Sequence, residues 1–154
     1  MKIKLIVVGK IKEKYWTDAI SEYSKRLNAF CELNLVEVKE VNTDDINKNI
    51  EEEAKNIISC IKDEDYVITL EILGKEYSSE ELAFFIKNHY TYDNKVLTFI
   101  IGGSNGLSKE VLDKSSLILS FGKITFPHQL FRVVLTEQIY RAFTIMKGEP
   151  YHHE

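Results

Sequence analysis

Val96-Leu97-Thr98-Phe99-Ile100-Ile101 runs directly into Gly102-Gly103-Ser104-Asn105-Gly106, and this stretch decides the fold. Six residues with one polar side chain predict a strand covered on both faces, as in a parallel sheet between helices. The glycines then allow either a tight strand-to-helix turn, with Ser108 capping the next helix, or a close backbone approach to a ligand. The spacing is neither GxGxxG nor GxxxxGK[ST], so neither a dinucleotide fingerprint nor a phosphate loop is supported.

The same alternation continues outward in both directions. Residues 2–9 read as a buried strand ending at Gly9, and residues 13–29 as a helix with Tyr15, Trp16, Ile20, Tyr23 and Leu27 on its inner face. A strand over 31–38 precedes an acidic helix capped by Thr43 or Asp44, running to about residue 62, with Ile46, Ile50, Ala54, Ile57 and Ile58 inward. Residues 66–72 form the next strand, and Leu73-Gly74-Lys75 a turn. Ser78 and Glu81 make a capping box for the following helix. Beyond the glycines come a short helix from Ser108, a strand over 117–120, and a last helix from Pro127 or His128 to about Lys147. This βαβ rhythm predicts one α/β domain over residues 1–154 with a mainly parallel sheet flanked by helices. Ligands in such sheets sit beyond the carboxyl ends of strands, so the loops after Ile72, Ile101 and Ser120 are expected to share one pocket.

Composition narrows the class. A chain of 154 residues with 44% hydrophobic and 29% charged residues can bury a core and is not disordered. The apolar run at the start is too short for a signal segment or a membrane span, which predicts a cytoplasmic protein with no membrane partner. Cys31 and Cys60 form no CxxC pair and are expected to be reduced, structural thiols. The net charge is −4, but it is unevenly spread. Residues 1–30 hold seven Lys or Arg and three acids, whereas residues 31–65 hold four Lys and eleven acids. A local basic face can therefore still meet phosphate.

Polar chemistry gathers in the last third. His128 opens the final helix, which also carries Arg132, Glu137, Tyr140 and Arg141, and the chain closes on Tyr151-His152-His153-Glu154. Glu137 and Arg141 have the spacing of a helical ion pair. No HExxH, cysteine set or carboxylate cluster predicts a metal, and no GxSxG predicts a covalent nucleophile. From the residues alone, the result is an α/β domain with a glycine-lined pocket and a polar tail.

Taken as an ordered set, these segments resemble the RlmH family of ribosomal RNA methyltransferases, which belong to the SPOUT class. The resemblance rests on Val7-Val8-Gly9-Lys10, Tyr15-Trp16, Leu70-Glu71-Ile72-Leu73-Gly74-Lys75, Ile101-Gly102-Gly103-Ser104-Asn105-Gly106-Leu107, Thr125-Phe126-Pro127-His128, Arg132, Glu137, Tyr140-Arg141-Ala142 and Pro150-Tyr151-His152. It implies a C-terminal trefoil knot, S-adenosylmethionine as methyl donor, and a homodimer whose partner chain helps complete each site. It also implies methylation of N3 of a pseudouridine in large-subunit (23S) rRNA on assembled ribosomes. By the same resemblance, Leu70, Gly102, Phe121, Gly122, Lys123, Ile124, Thr125 and Phe126 form the donor pocket. His152, Arg141 and Tyr151 are the catalytic set, and Arg132 and His128 contact RNA. One departure stands out: many relatives have Arg or Lys after the tail Tyr-His, where this chain has His153, a poor fixed charge at neutral pH. Two other readings compete: a donor-binding or ribosome-associated module without transfer activity, and a methyltransferase acting on tRNA. The small size and lack of an appended RNA-binding domain disfavour the latter.

Overall fold

The computed structural model describes residues 1–153. Ten elements alternate along the chain: β1 (Lys2–Val8), α1 (Lys14–Leu27), β2 (Glu32–Val38), α2 (Ile46–Ser59), β3 (Asp65–Glu76), α3 (Ser79–Tyr92), β4 (Val96–Ile101), α4 (Lys109–Asp113), β5 (Leu117–Ser120) and α5 (His128–Lys147). The strands form one all-parallel sheet in the order β2-β1-β4-β3-β5. All five carboxyl ends therefore share one edge.

Side-chain alternation along β1 builds a three-layer arrangement. Ile3, Leu5 and Val7 pack with Leu27 of α1, Leu82 and Ile86 of α3, and Leu135, Ile139 and Phe143 of α5. Ile6 and Val8 face the other way, onto Ala54 and Ile57 of α2 and Val111 of α4. Burial pushes the Cys31 thiol up to about 11, so it stays protonated as a small core residue.

The strands over 96–101 and 117–120, the capping box at Ser78 and Glu81, and the last helix fall where the sequence predicts them. Three details differ. First, β3 does not turn at Leu73-Gly74-Lys75 but continues to Glu76, with a register shift against β5 between Leu70 and Lys75. Gly74 is needed for close approach rather than for a turn: a Cβ there would lie 2.7 Å from the Ile118 carbonyl oxygen. Second, α2 starts one or two residues later than expected and ends at Ser59. Its cap is Asp45, whose side chain accepts from the Lys48 N–H, while Thr43 and Asn49 bond to each other. Ile46 is 61% exposed, and Asn49 and Glu53 are buried in its stead. Third, Tyr15 lies 64% exposed and edge-on to Trp16 rather than inward. Among the described residues, no helix is long and apolar enough to cross a membrane.

Candidate active site

The carboxyl ends of β3, β4 and β5 enclose a cleft of about 250 Å³. Leu70 and Ile72 come from β3, Ile101 and Gly102 from the end of β4, and Phe121 from the loop after β5. The expected pocket forms, with loops after Ile101 and Ser120, but β3 lines it with strand residues rather than a loop after Ile72, because the strand continues to Glu76. Gly122, Ile124, Thr125 and Phe126 also line it, while Lys123 is exposed and does not. Phe131 of α5 braces the loop from beneath, with ring centroids 5.3 Å from Phe121 and 5.5 Å from Phe126.

Ser120 is a residue that sequence reasoning passed over. Its hydroxyl donates to the Ile72 carbonyl at 2.8 Å and accepts from the Gly122 N–H at 3.1 Å. It thus ties the β3 end to the β5 loop, and Gly122 takes φ +108° to make that turn. The only signal in the sequence was a hydroxyl residue next to a strand-terminal Phe-Gly. Gly103, Gly106, Leu107 and His128 complete the wall, so His128, expected to contact RNA, lines this cleft. An apolar cleft edged with glycine backbone fits a purine nucleoside: aliphatic and aromatic side chains cover faces, and backbone N–H and C=O groups meet edges.

The tail residues form a second constellation. Arg141 donates from Nε and Nη2 to Glu137 Oε1 at 3.0 and 2.7 Å. The Tyr151 hydroxyl donates to the same oxygen at 3.0 Å, and the Arg141 guanidinium lies 4.7 Å from the Tyr151 ring centroid. His152 is held from both sides: Arg141 Nη1 is 3.0 Å from Nδ1, and Nε2 is 2.7 Å from Glu80 Oε1. Because a guanidinium only donates, Nδ1 accepts and the ring proton sits on Nε2, donating to Glu80. Glu80, in the first turn of α3, was not expected at the site; its partner is 72 residues away.

Burial, and next the hydrogen bond to Glu137, pushes Tyr151 up to about 12. It is therefore a neutral donor at physiological pH rather than a base. The bond to Glu137 also raises Arg141 and keeps it charged. Thus Arg141, Tyr151 and His152 do come together, but none of them lines the cleft of its own chain. His153 is exposed, and Glu154 lies outside the described residues.

Arg132 requires a correction. It is 1% exposed, donating to the carbonyls of Val8 and Gly9 at 2.9 and 2.7 Å and to Glu37 at 3.1 Å. Burial lowers its pKa, and Glu37 partly offsets this. A guanidinium enclosed in this way cannot touch RNA phosphate; it is a structural post under β1. Among the described residues, no group of His, Cys, Asp or Glu is placed to hold a metal.

The comparisons with known proteins agree with this geometry. The family model described as predicted SPOUT methyltransferase matches residues 1–152. A Clostridium botulinum (strain Alaska E43 / Type E3) protein named ribosomal RNA large subunit methyltransferase H is 54% identical, covering 99% of both chains. A Pediococcus pentosaceus protein of the same name is 51% identical over the same shares. Among solved structures, a probable methylase family protein from Haemophilus influenzae Rd KW20 matches with TM-score 0.57 and 13% identity. That match covers 99% of this chain and 70% of the other and speaks for the fold alone. The family model places the chain among the SPOUT methyltransferases. Within that class, the chain belongs to the RlmH family.

Proposed function

We propose that this protein methylates N3 of a pseudouridine in large-subunit rRNA, on assembled ribosomes, using S-adenosylmethionine. The observation that carries the reading is the cleft at the ends of β3, β4 and β5, with apolar walls and glycine edges. The names of the 54% and 51% identical relatives support the substrate class. The trefoil threading of the C-terminal segment and a cytoplasmic location belong to the same reading.

The bound donor supplies an electrophilic methyl on a sulfonium sulfur. Leu70, Ile124 and Phe126 hold and cover its nucleoside, while the glycine loop supplies backbone contacts. The chain's main contribution to rate is alignment of the nucleobase nitrogen with that methyl. The nitrogen forms a bond to carbon as the carbon–sulfur bond breaks, and the N3 proton passes to a base. His152 is the base of the tail: its Nδ1 lone pair accepts from Arg141 in the resting arrangement. Moving the Arg141 N–H onto the uracil oxygen, where negative charge develops, frees Nδ1 to take the proton. Tyr151, protonated throughout, offers a ring and a hydroxyl to the base. Because the tail constellation lies outside its own chain's cleft, a homodimer in which each copy's tail serves the other's cleft accounts for both observations.

The test is transfer of labelled methyl to ribosomes from a strain lacking this protein, followed by mapping of the modified nucleotide. Label at N3 of a large-subunit pseudouridine is the expected result. Donor binding without label on ribosomes would overturn the reading in favour of a binding module.

A further inference from the structure

Resting on that function, we propose that the loop after β1, carrying exposed Lys10 and Lys12, is the edge on which the rRNA backbone docks beside the donor cleft. The partner is a polyanion, RNA phosphate, presented next to the nucleotide that enters the cleft.

β1 is hydrogen-bonded to β4, so its carboxyl end lies beside the glycine loop. The two segments touch: a Cβ built on Gly103 would lie 3.0 Å from Val8 Cγ1, and Gly103 lines the cleft. The chain then turns at Gly9, φ +88°, and carries Lys10 and Lys12 outward.

The loop is also held firmly. Arg132 grips the carbonyls of Val8 and Gly9 from below, and the Ile11 N–H donates to Glu37 Oε2 at 3.3 Å. Glu37 in turn is paired with Arg132, which offsets its charge, while Glu40 sits against Gly9, its Oε2 3.4 Å from where a Cβ would lie, so the lysines act beside one carboxylate. A lysine pair on an anchored loop loses less freedom on binding than a pair on a mobile one.

Charge completes the case. Of the basic residues near the N-terminus, Lys4 is buried against Asp65, and Lys14 and Arg26 pair with Asp18 and Glu22 on their own helix. Lys10 and Lys12 are exposed and make no ion pair among the described residues. Across the cleft, Lys123 is exposed on the loop after β5. β1 and β5 are three strand spacings apart, ~14 Å, so unpaired lysines flank both sides of the opening. A chain of net charge −4 needs such a local basic edge to hold RNA at all.

The experiment compares the full-length protein with K10A/K12A and with K62A/K95A. Lys62 and Lys95 are exposed and precede β3 and β4, at the opposite edge of the sheet. Three quantities are measured across a salt series: equilibrium binding to large ribosomal subunits, KM for those subunits, and donor affinity. For K10A/K12A, subunit binding is expected to weaken roughly tenfold near 0.1 M salt, and the log–log salt slope to fall by about 1 to 2. Donor affinity and kcat stay as in the parent, and K62A/K95A behaves as the parent does. Equal losses in both variants, or none in K10A/K12A, overturn the proposal even if methyl transfer is intact. Absence of transfer by the parent overturns the proposed function, while subunit binding still decides the docking edge. If the parent does not bind subunits either, both fail.

Discussion

Glu53 lies on α2 with 2% of its surface exposed, and its Oε2 accepts the Val41 N–H at 2.9 Å. Burial raises its pKa above the usual carboxylate range, with the Val41 bond acting against this. A folded-state pKa above the unfolded one means the native protein holds the proton more tightly. That contribution is complete below the unfolded value and is lost as pH rises through the folded one. Above the unfolded value the buried carboxyl is therefore a cost to the folded state. Glu53→Gln is expected to raise stability by about 1 kcal/mol at pH 7, with the gain shrinking as pH falls toward the carboxylate range. Urea unfolding midpoints at pH 7 and pH 5 read this; a variant that is weaker at both pH values would refute it. At this scale the sequence was informative about residue type and poor about direction. Arg132 was expected at RNA because the family resemblance placed it there. Its burial is set by carbonyls contributed from residues 8 and 9, which no local pattern announces.

Elements were easier to read than side chains. Val96–Ile101 and Leu117–Ser120 are short apolar runs between clear breakers, and both are strands of those bounds. The end of β3 was not readable. Glycine after a strand usually marks a turn, and only the backbone of Ile118, passing within 2.7 Å of a Cβ at Gly74, shows that it is there for contact. The donor cleft followed from strand polarity, since parallel strands share their carboxyl edge. The tail's attachment did not, because Glu80 reaches His152 from α3. Under the proposed function that attachment separates two roles by element: β3 residues and the loops after β4 and β5 hold donor, while the tail acts on the nucleobase. Truncation after Pro150 is accordingly expected to leave donor affinity within about twofold of the parent and to reduce transfer by at least ~100-fold. Calorimetry with the donor alongside a single-turnover assay distinguishes the two, and loss of donor binding would make the tail structural.

The whole molecule is one five-stranded sheet with helices on both faces, and it carries a net negative charge. Its candidate RNA surface is confined to the edge around one cleft. Recognition of a single nucleotide by so small an area calls for a substrate that arrives already shaped. Free rRNA fragments containing the target helix-loop are thus expected to be methylated at least ~100-fold less efficiently, as kcat/KM, than ribosomes. Equal rates on the two substrates would show that the helix-loop alone suffices.

The grip of Arg132 on Val8 and Gly9 spans 124 and 123 residues of chain. At ~5–20 residues per second of synthesis, β1 waits about 6 to 25 seconds for its anchor to be made. Until then the carboxyl end of β1 has carbonyls with no guanidinium to receive them, and the loop beyond it lacks that anchor. A nascent chain therefore cannot acquire a finished cleft gradually from its amino terminus. Its birth order leaves the site incomplete until the last helix has emerged, so that an abandoned translation product would lack not a fraction of the activity but the whole of it.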